Sequence, residues 1–184
     1  IYFGLAGILS GLAAFFGFYL LKIFKEKNYT CIFGYAVMVV SNLIVFFASP
    51  KTMSSTVMMV LLCVSNAANG LVTGLIYGMV PDTVEYGQWK SGIRTDGFVY
   101  ASTSFMNKLG GAVGPFLLGI LVNAAGYVPN VEQSASVQFW INMFMTIIPG
   151  VLLFIGAFIF AKLKMNRTLY AQILKDLEER KKNA

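Results

Sequence analysis

Five long apolar runs, separated by short polar segments, constrain this chain more than any other feature. A helix that crosses the hydrocarbon core of a bilayer needs about 20 mostly apolar residues. Each run reaches that length, and none contains an aspartate or a glutamate. We therefore expect an all-α membrane protein with five transmembrane helices, at about residues 1–21, 29–49, 56–80, 98–122 and 136–161.

The composition excludes several classes of function. Hydrophobic residues make up 57% of the chain and charged residues only 12%, about half the charge of an average soluble domain. The net charge of +6 comes from basic residues that flank apolar runs, so we expect a lipid environment and no nucleic-acid partner. The chain has no histidine, no cysteine cluster and no nucleotide-binding glycine loop. We therefore expect no enzymatic activity, no cofactor and no metal site.

Lysine and arginine are concentrated in alternate polar segments. The segments at 22–28, 81–97 and 162–184 carry them, whereas the other two contain only Lys51. The positive-inside rule places the first group in the cytoplasm, so we expect a multi-pass protein of the cell (inner) membrane with a cytoplasmic C-terminus. In the basic tail at 162–184, leucine and isoleucine recur at helical spacing. We expect an amphipathic helix on the membrane surface, with docking onto a partner as the alternative.

The third apolar run combines a glycine repeat with a polar stripe. Gly70, Gly74 and Gly78 are spaced four apart, which is typical of closely packed membrane helices. The stripe lies on one helical face and consists of Asn66, Asn69, Thr73 and Tyr77. In lipid such a stripe must find polar partners or water. It therefore forms either contacts between helices or one wall of a hydrated cavity.

The fourth run carries a single lysine, Lys108, about ten residues from its start. A helix rises ~1.5 Å per residue, so Lys108 lies ~15 Å deep, near the middle of a core ~30 Å thick. An ionisable group at that depth costs at least ~2.5 kcal/mol and marks a functional site. Tyr100 and Ser104 share its helical face, and Asn107 lies beside it. We predict that this set binds a hydroxyl-rich solute or couples its binding to a cation.

The polar segment 81–97 joins these two runs. Pro81 is predicted to end the preceding helix, and the charges that follow form either a solvated loop or a cytoplasmic gate. In the second interpretation, Asp82 or Glu85 pairs with Arg94, or with basic residues of a missing N-terminal half. These pairs would exchange when the protein changes conformation.

Three motifs together resemble a known family. They are Asp82-Thr-Val-Glu-Tyr-Gly-Gln-Trp-Lys-Ser-Gly-Ile-Arg94, Lys108-Leu-Gly-Gly111 and Gly126-Tyr-Val-Pro-Asn-Val-Glu-Gln-Ser134. The chain is similar in these stretches to the glycoside-pentoside-hexuronide:cation symporters, of which melibiose permease is the best-known member. The resemblance implies helices eight to twelve of a twelve-helix major facilitator fold. It also implies uptake of a sugar or glycoside with Na⁺, H⁺ or Li⁺, the cation being bound mainly by the N-terminal half.

The same resemblance implies roles for individual residues. It places Lys108 between the sugar and cation sites and Ser104 at a sugar contact. Melibiose permease has a tryptophan near the sugar where this chain has Thr73, so melibiose itself is not implied as the substrate.

Five spans cannot complete the paired repeats from which transporters are built. We therefore expect this chain to be the C-terminal half of a longer transporter, with the N-terminal half as its main partner. The alternative is a membrane sensor or assembly subunit that uses the same scaffold and moves no solute.

Overall fold

The chain forms six α-helices in the computed structural model, which describes residues 2–24, 26–47, 54–163 and 166–182. Four of them, α2 to α5, are each long and apolar enough to cross a membrane, and α1 occupies the first predicted span. These findings confirm an all-α membrane protein. The helices are α1 (Tyr2–Phe24), α2 (Lys27–Phe47), α3 (Ser55–Ser91), α4 (Asp96–Ala124), α5 (Ala135–Lys162) and α6 (Arg167–Lys182).

The core of the bundle lies where α2 and α3 meet. α1 packs along one side of α3, α2 packs along another side, and α5 packs against α2. Cys31 and Met38 of α2 are buried there, as the apolar surroundings of the cysteine lead us to expect. The α3 side of this cluster consists of Ala68, Leu71, Val72, Leu75 and Met79.

Glycines allow α1 and α3 to approach closely. A Cβ atom added at Gly70 would lie 2.1 Å from the Ser10 carbonyl oxygen, and one at Gly74 would lie 3.3 Å from the Cβ of Ala14. The predicted packing role is therefore confirmed at Gly70 and Gly74, whereas a Cβ at Gly78 would meet nothing within 4 Å. On α1 the contact is made by Ser10 and Ala14, whereas a Cβ added at Gly7 or Gly11 would meet nothing within 4 Å.

Helix α3 continues through Pro81, contrary to the prediction that this proline ends it. The helix runs on to Ser91 and ends at Gly92, whose φ of 76° is the left-handed conformation that glycine adopts without strain. Val84, one turn past the proline, is 2% exposed, so the buried face of α3 extends beyond Pro81. A proline removes one backbone hydrogen bond from a helix but does not force the helix to end. Burial of the α3 face on both sides of Pro81 therefore keeps the helix continuous.

Helix α5 is also continuous through a proline, since it runs from Ala135 to Lys162 across the Pro149-Gly150 pair. It packs against α2, where the Asn142 amide nitrogen donates to the Phe46 carbonyl at 3.1 Å. Thr146, one turn later, is 4% exposed and donates to the Asn142 carbonyl within α5.

The tail helix α6 docks onto the protein. Ile173 on its apolar face has no exposed surface, and α6 packs against the final turns of α3. The apolar face of the tail helix therefore packs on the bundle. Contact of α6 with the membrane surface stays a prediction. Helix α4 differs from the others: all of its residues are described, and none of its side chains is buried.

Candidate functional site

The predicted substrate-binding residues lie on α3 and α4, and most of them are exposed. Asn66 is half-buried, whereas the other seven are open on the surface of the bundle. The exposed set consists of Asn69, Thr73 and Tyr77 on α3 and Tyr100, Ser104, Asn107 and Lys108 on α4. Polar side chains in the apolar middle of a membrane helix require water or polar partners, so this face is not suited to contact with lipid alone.

Two members of the set meet across the helices. The Asn107 amide nitrogen donates to the Tyr77 hydroxyl at 2.5 Å. On α3 the Thr73 hydroxyl donates to the Asn69 side-chain oxygen at 3.2 Å, one turn earlier. The first bond joins the polar stripe of α3 to the polar face of α4, and the second lies within the stripe.

Lys108 lies 12 residues after the first residue of α4, or ~18 Å along the helix. No hydrogen bond or ion pair joins its ammonium group to another residue of the ranges that the structure describes. Ser104 lies one turn before it on the same exposed face. The Lys108 ammonium and the Ser104 hydroxyl thus lie together on an exposed face of α4.

Asn66 lies in a groove on another side of α3. Its amide donates to the Leu62 carbonyl at 2.9 Å, and with Asn69 it lines a groove of about 420 Å³ between α2, α3 and α5. Tyr35 of α2 and Pro149 of α5 border the same groove. Asn69 therefore belongs to both the groove and the exposed polar face.

The predicted gate residues lie at the other end of α3, but their partners differ from the prediction. Asp82 is 7% exposed, and its carboxylate pairs with the ammonium of Lys27 at 2.5 Å. Lys27 is the first residue of α2, and it also donates to the Gly78 carbonyl at 3.2 Å. Gly78 lies just before Pro81, where the hydrogen-bond ladder of α3 is interrupted.

Glu85 accepts a hydrogen bond from the Tyr170 hydroxyl of α6. Arg94 binds Asp96 through two hydrogen bonds of 2.8 and 2.9 Å, and this contact raises the pKa of Arg94. The predicted pairing of Asp82 or Glu85 with Arg94 is therefore wrong for this conformation. The helical extension of α3 carries Asp82 ~14 Å along the axis from Ser91, whereas Asp96 is only two residues from Arg94.

Sequence reasoning missed Lys27 and Tyr170 as partners of the gate carboxylates. Lys27 was visible only as part of a basic segment, and Tyr170 only as part of an amphipathic tail. The available signal was the pair Val80 and Val84, an apolar i, i+4 repeat across Pro81 that indicates a continuing helix.

Comparison with known proteins identifies the family. Residues 1–167 match the family described as "MFS/sugar transport protein". The chain belongs to this family. The match confirms the resemblance to the glycoside-pentoside-hexuronide:cation symporters, a group of membrane transporters of the major facilitator superfamily.

Curated relatives support the same assignment. A putative sulfoquinovose importer of Escherichia coli (strain K12) is 36% identical over 120 residues, which cover 65% of this chain and 26% of the relative. An isoprimeverose transporter of Lactiplantibacillus pentosus is 32% identical and covers 84% of this chain and 32% of the relative. The uncharacterized symporter YjmB of Bacillus subtilis (strain 168) is 30% identical, and the match covers 88% of this chain and 34% of the relative. The chain thus spans about a quarter to a third of the length of these relatives.

Proposed function

We propose that this chain is part of a secondary transporter that moves a sugar or glycoside together with Na⁺ or H⁺ by alternating access. The observation that carries the proposal is the exposed polar face of α3 and α4 with Lys108 at its centre. Membership of a family of sugar transporters supports it. Names of relatives suggest sulfoquinovose or a glycoside such as isoprimeverose as first substrates to try.

In this proposal the polar face borders the substrate cavity. Hydroxyl groups of a sugar accept from the Lys108 ammonium and exchange hydrogen bonds with Asn107 and Ser104. Asn69, Thr73 and Tyr77 provide the opposing polar wall. Because no acidic residue lies in any of the apolar runs, the coupling cation (Na⁺, H⁺ or Li⁺) is held mainly by the N-terminal half of the transporter. That half also covers the exposed face of α4.

Asp82, Glu85 and Arg94 form the inner gate of the proposed transporter. The segments that hold them carry the Lys/Arg excess, which supports a cytoplasmic position for this end and for the C-terminus in the cell inner membrane. In the described conformation the two carboxylates have partners on α2 and α6. Opening and closing of the gate would exchange these partners for basic residues of the other half.

Uptake into proteoliposomes tests the function. The full-length protein should accumulate radiolabelled sulfoquinovose or isoprimeverose under an inward Na⁺ or H⁺ gradient. Lys108→Ala should abolish accumulation, because the variant loses the charge that links sugar and cation. Leu109→Ala, at the next position of α4 and 43% exposed, serves as the matched control and should retain uptake.

Unchanged accumulation in Lys108→Ala would remove the coupling role of this residue. Binding of a sugar without flux or counterflow in the unmodified protein would favour a sensor or assembly subunit over a transporter.

A further inference from the structure

Helix α6 makes side-chain hydrogen bonds to the last turns of α3. The Tyr170 hydroxyl donates to Glu85, and the Trp89 indole nitrogen donates to the Asp176 carboxylate at 2.8 Å. The Arg180 guanidinium then donates to the Trp89 carbonyl at 3.0 Å. Residue numbers rise in the same direction along both helices, so α6 runs beside the end of α3 in a parallel sense.

Helix α6 and the segment before it also bind the start of α2. The Arg167 backbone nitrogen donates to the Glu26 carboxylate at 3.0 Å. The Asn28 amide, on a residue only 9% exposed, donates to the Leu163 carbonyl at 3.1 Å. These bonds join residues 135 to 141 positions apart in sequence.

Lys27 links the two sets of contacts. Its ammonium lies 5.7 Å from the centroid of the Tyr170 ring while it pairs with Asp82. A cation at this distance from an aromatic ring is attracted to it. Tyr170 therefore touches Lys27 with its ring and Glu85 with its hydroxyl, and it lies between the two carboxylates of the gate.

The Tyr170 hydroxyl stays a donor throughout the physiological pH range. Burial and the hydrogen bond to Glu85 both raise the pKa of Tyr170. Behind it, Ile173 has no exposed surface, whereas its neighbour Leu174 is 36% exposed. The contact of α6 with the bundle thus combines a buried apolar anchor with directional bonds to the gate helix, a combination that a helix resting on lipid does not need.

We propose that α6 is an internal clasp that holds the ends of α2 and α3 together and positions the carboxylates of Asp82 and Glu85. The clasp itself follows from the contacts of α6. Its effect on transport rests on the proposed function, in which these carboxylates belong to the inner gate. Tyr170 is a positioning residue in this arrangement, since it acts through Glu85 and Lys27.

Cysteine labelling tests the clasp without any transport measurement. In the full-length protein with Cys31 and Cys63 replaced by alanine, a water-soluble maleimide should label Leu174→Cys about tenfold faster than Ile173→Cys. Adding Tyr170→Phe and Asp176→Ala removes two hydrogen bonds and should speed labelling at position 173 about tenfold. Labelling at position 174 should stay the same in that background. Equal protection of both positions, unaffected by the two substitutions, would indicate a helix lying on lipid and would overturn the clasp.

A double-mutant comparison tests the pairing of Tyr170 with Glu85. Tyr170→Phe alone should speed labelling at position 173 severalfold, and adding Glu85→Leu should change the rate less than twofold, because the bond is already lost. If the two substitutions multiplied their separate effects on the labelling rate, the residues would not act as a pair.

Transport assays distinguish a failure of the clasp proposal from a failure of the proposed function. The Tyr170→Phe, Asp176→Ala variant should keep sugar counterflow but accumulate severalfold less sugar, because its gate closes less completely. Unchanged accumulation with faster labelling would overturn the positioning role. Absence of transport in the unmodified protein would instead overturn the proposed function, and the labelling result would still decide whether the clasp exists.

Discussion

Helices α3 and α4 are neighbours in sequence and similar in composition, yet α3 is largely covered by other helices and α4 is exposed. The buried core includes five residues of α3, which is covered by α1, α2 and α6. No residue of α4 is buried, and among the helices of the described ranges it contacts only α3 and α5. Both helices are apolar enough to cross a membrane. Hydropathy therefore identifies a spanning helix but does not show whether lipid, protein or a solute covers each face.

The largest change in stability is expected where the packed helix α3 contacts α1. Gly70→Ala should lower the free energy of unfolding by ~2–3 kcal/mol, because its Cβ would meet the backbone of Ser10, which cannot move without shifting α1. Gly78→Ala, in the same glycine repeat but with open space around it, should change stability by less than ~0.5 kcal/mol. Titration with SDS in mixed micelles measures both, and equal losses would contradict the close packing.

Removing the Lys27 ammonium tests the ion pair at the end of α3. Lys27→Met leaves the Asp82 carboxylate, whose side chain is 9% exposed, without its cation. The expected loss is ~1–2 kcal/mol, less than for a fully buried pair because the Lys27 side chain is 38% exposed. Lys90→Met is the control, since Lys90 is exposed and has no ion pair among the described residues. A loss as small as that of the control in the same titration would mean that the pair is not maintained.

The contact of α5 with α2 should be weaker. Asn142→Ala removes the bond to the Phe46 carbonyl and should cost ~0.6–1 kcal/mol, as is usual for polar contacts between membrane helices. Met145→Ala, on the same helix and 59% exposed, should cost less when the two variants are unfolded side by side. The reverse order would show that α5 packs differently.

The smallest effect is expected where α4 meets α3. Tyr77→Phe removes the hydroxyl that accepts from Asn107 and should change stability by less than ~0.5 kcal/mol, because both side chains are exposed. Tyr127→Phe, in the connection between α4 and α5, is the control and measures the change in stability on removing a tyrosine hydroxyl elsewhere. A loss above ~1.5 kcal/mol would mean that this bond is buried by further protein and that α4 is not an open face.

The sequence predicted the order of the helices well, because long apolar runs have no other stable arrangement in lipid. It did not predict the end of α3, since the effect of Pro81 depends on whether Val84 finds a buried site. It predicted Lys108 as a candidate from depth alone. It could not predict the bond between Tyr77 and Asn107, or that between Tyr170 and Glu85, because such contacts depend on how distant helices pack.

The uninterrupted length of α3 has a mechanical consequence. Its 37 residues form a rod of ~55 Å, about twice the thickness of the hydrocarbon core. A tilt of ~5° about the midpoint would displace each end by ~2 Å. Asn69 and Thr73 lie near that midpoint, whereas Glu85 and Trp89 lie near one end. A small tilt of α3 would therefore leave Asn69 and Thr73 almost in place. The same tilt would move Glu85 and Trp89, which bind α6, by about 2 Å, enough to break a hydrogen bond.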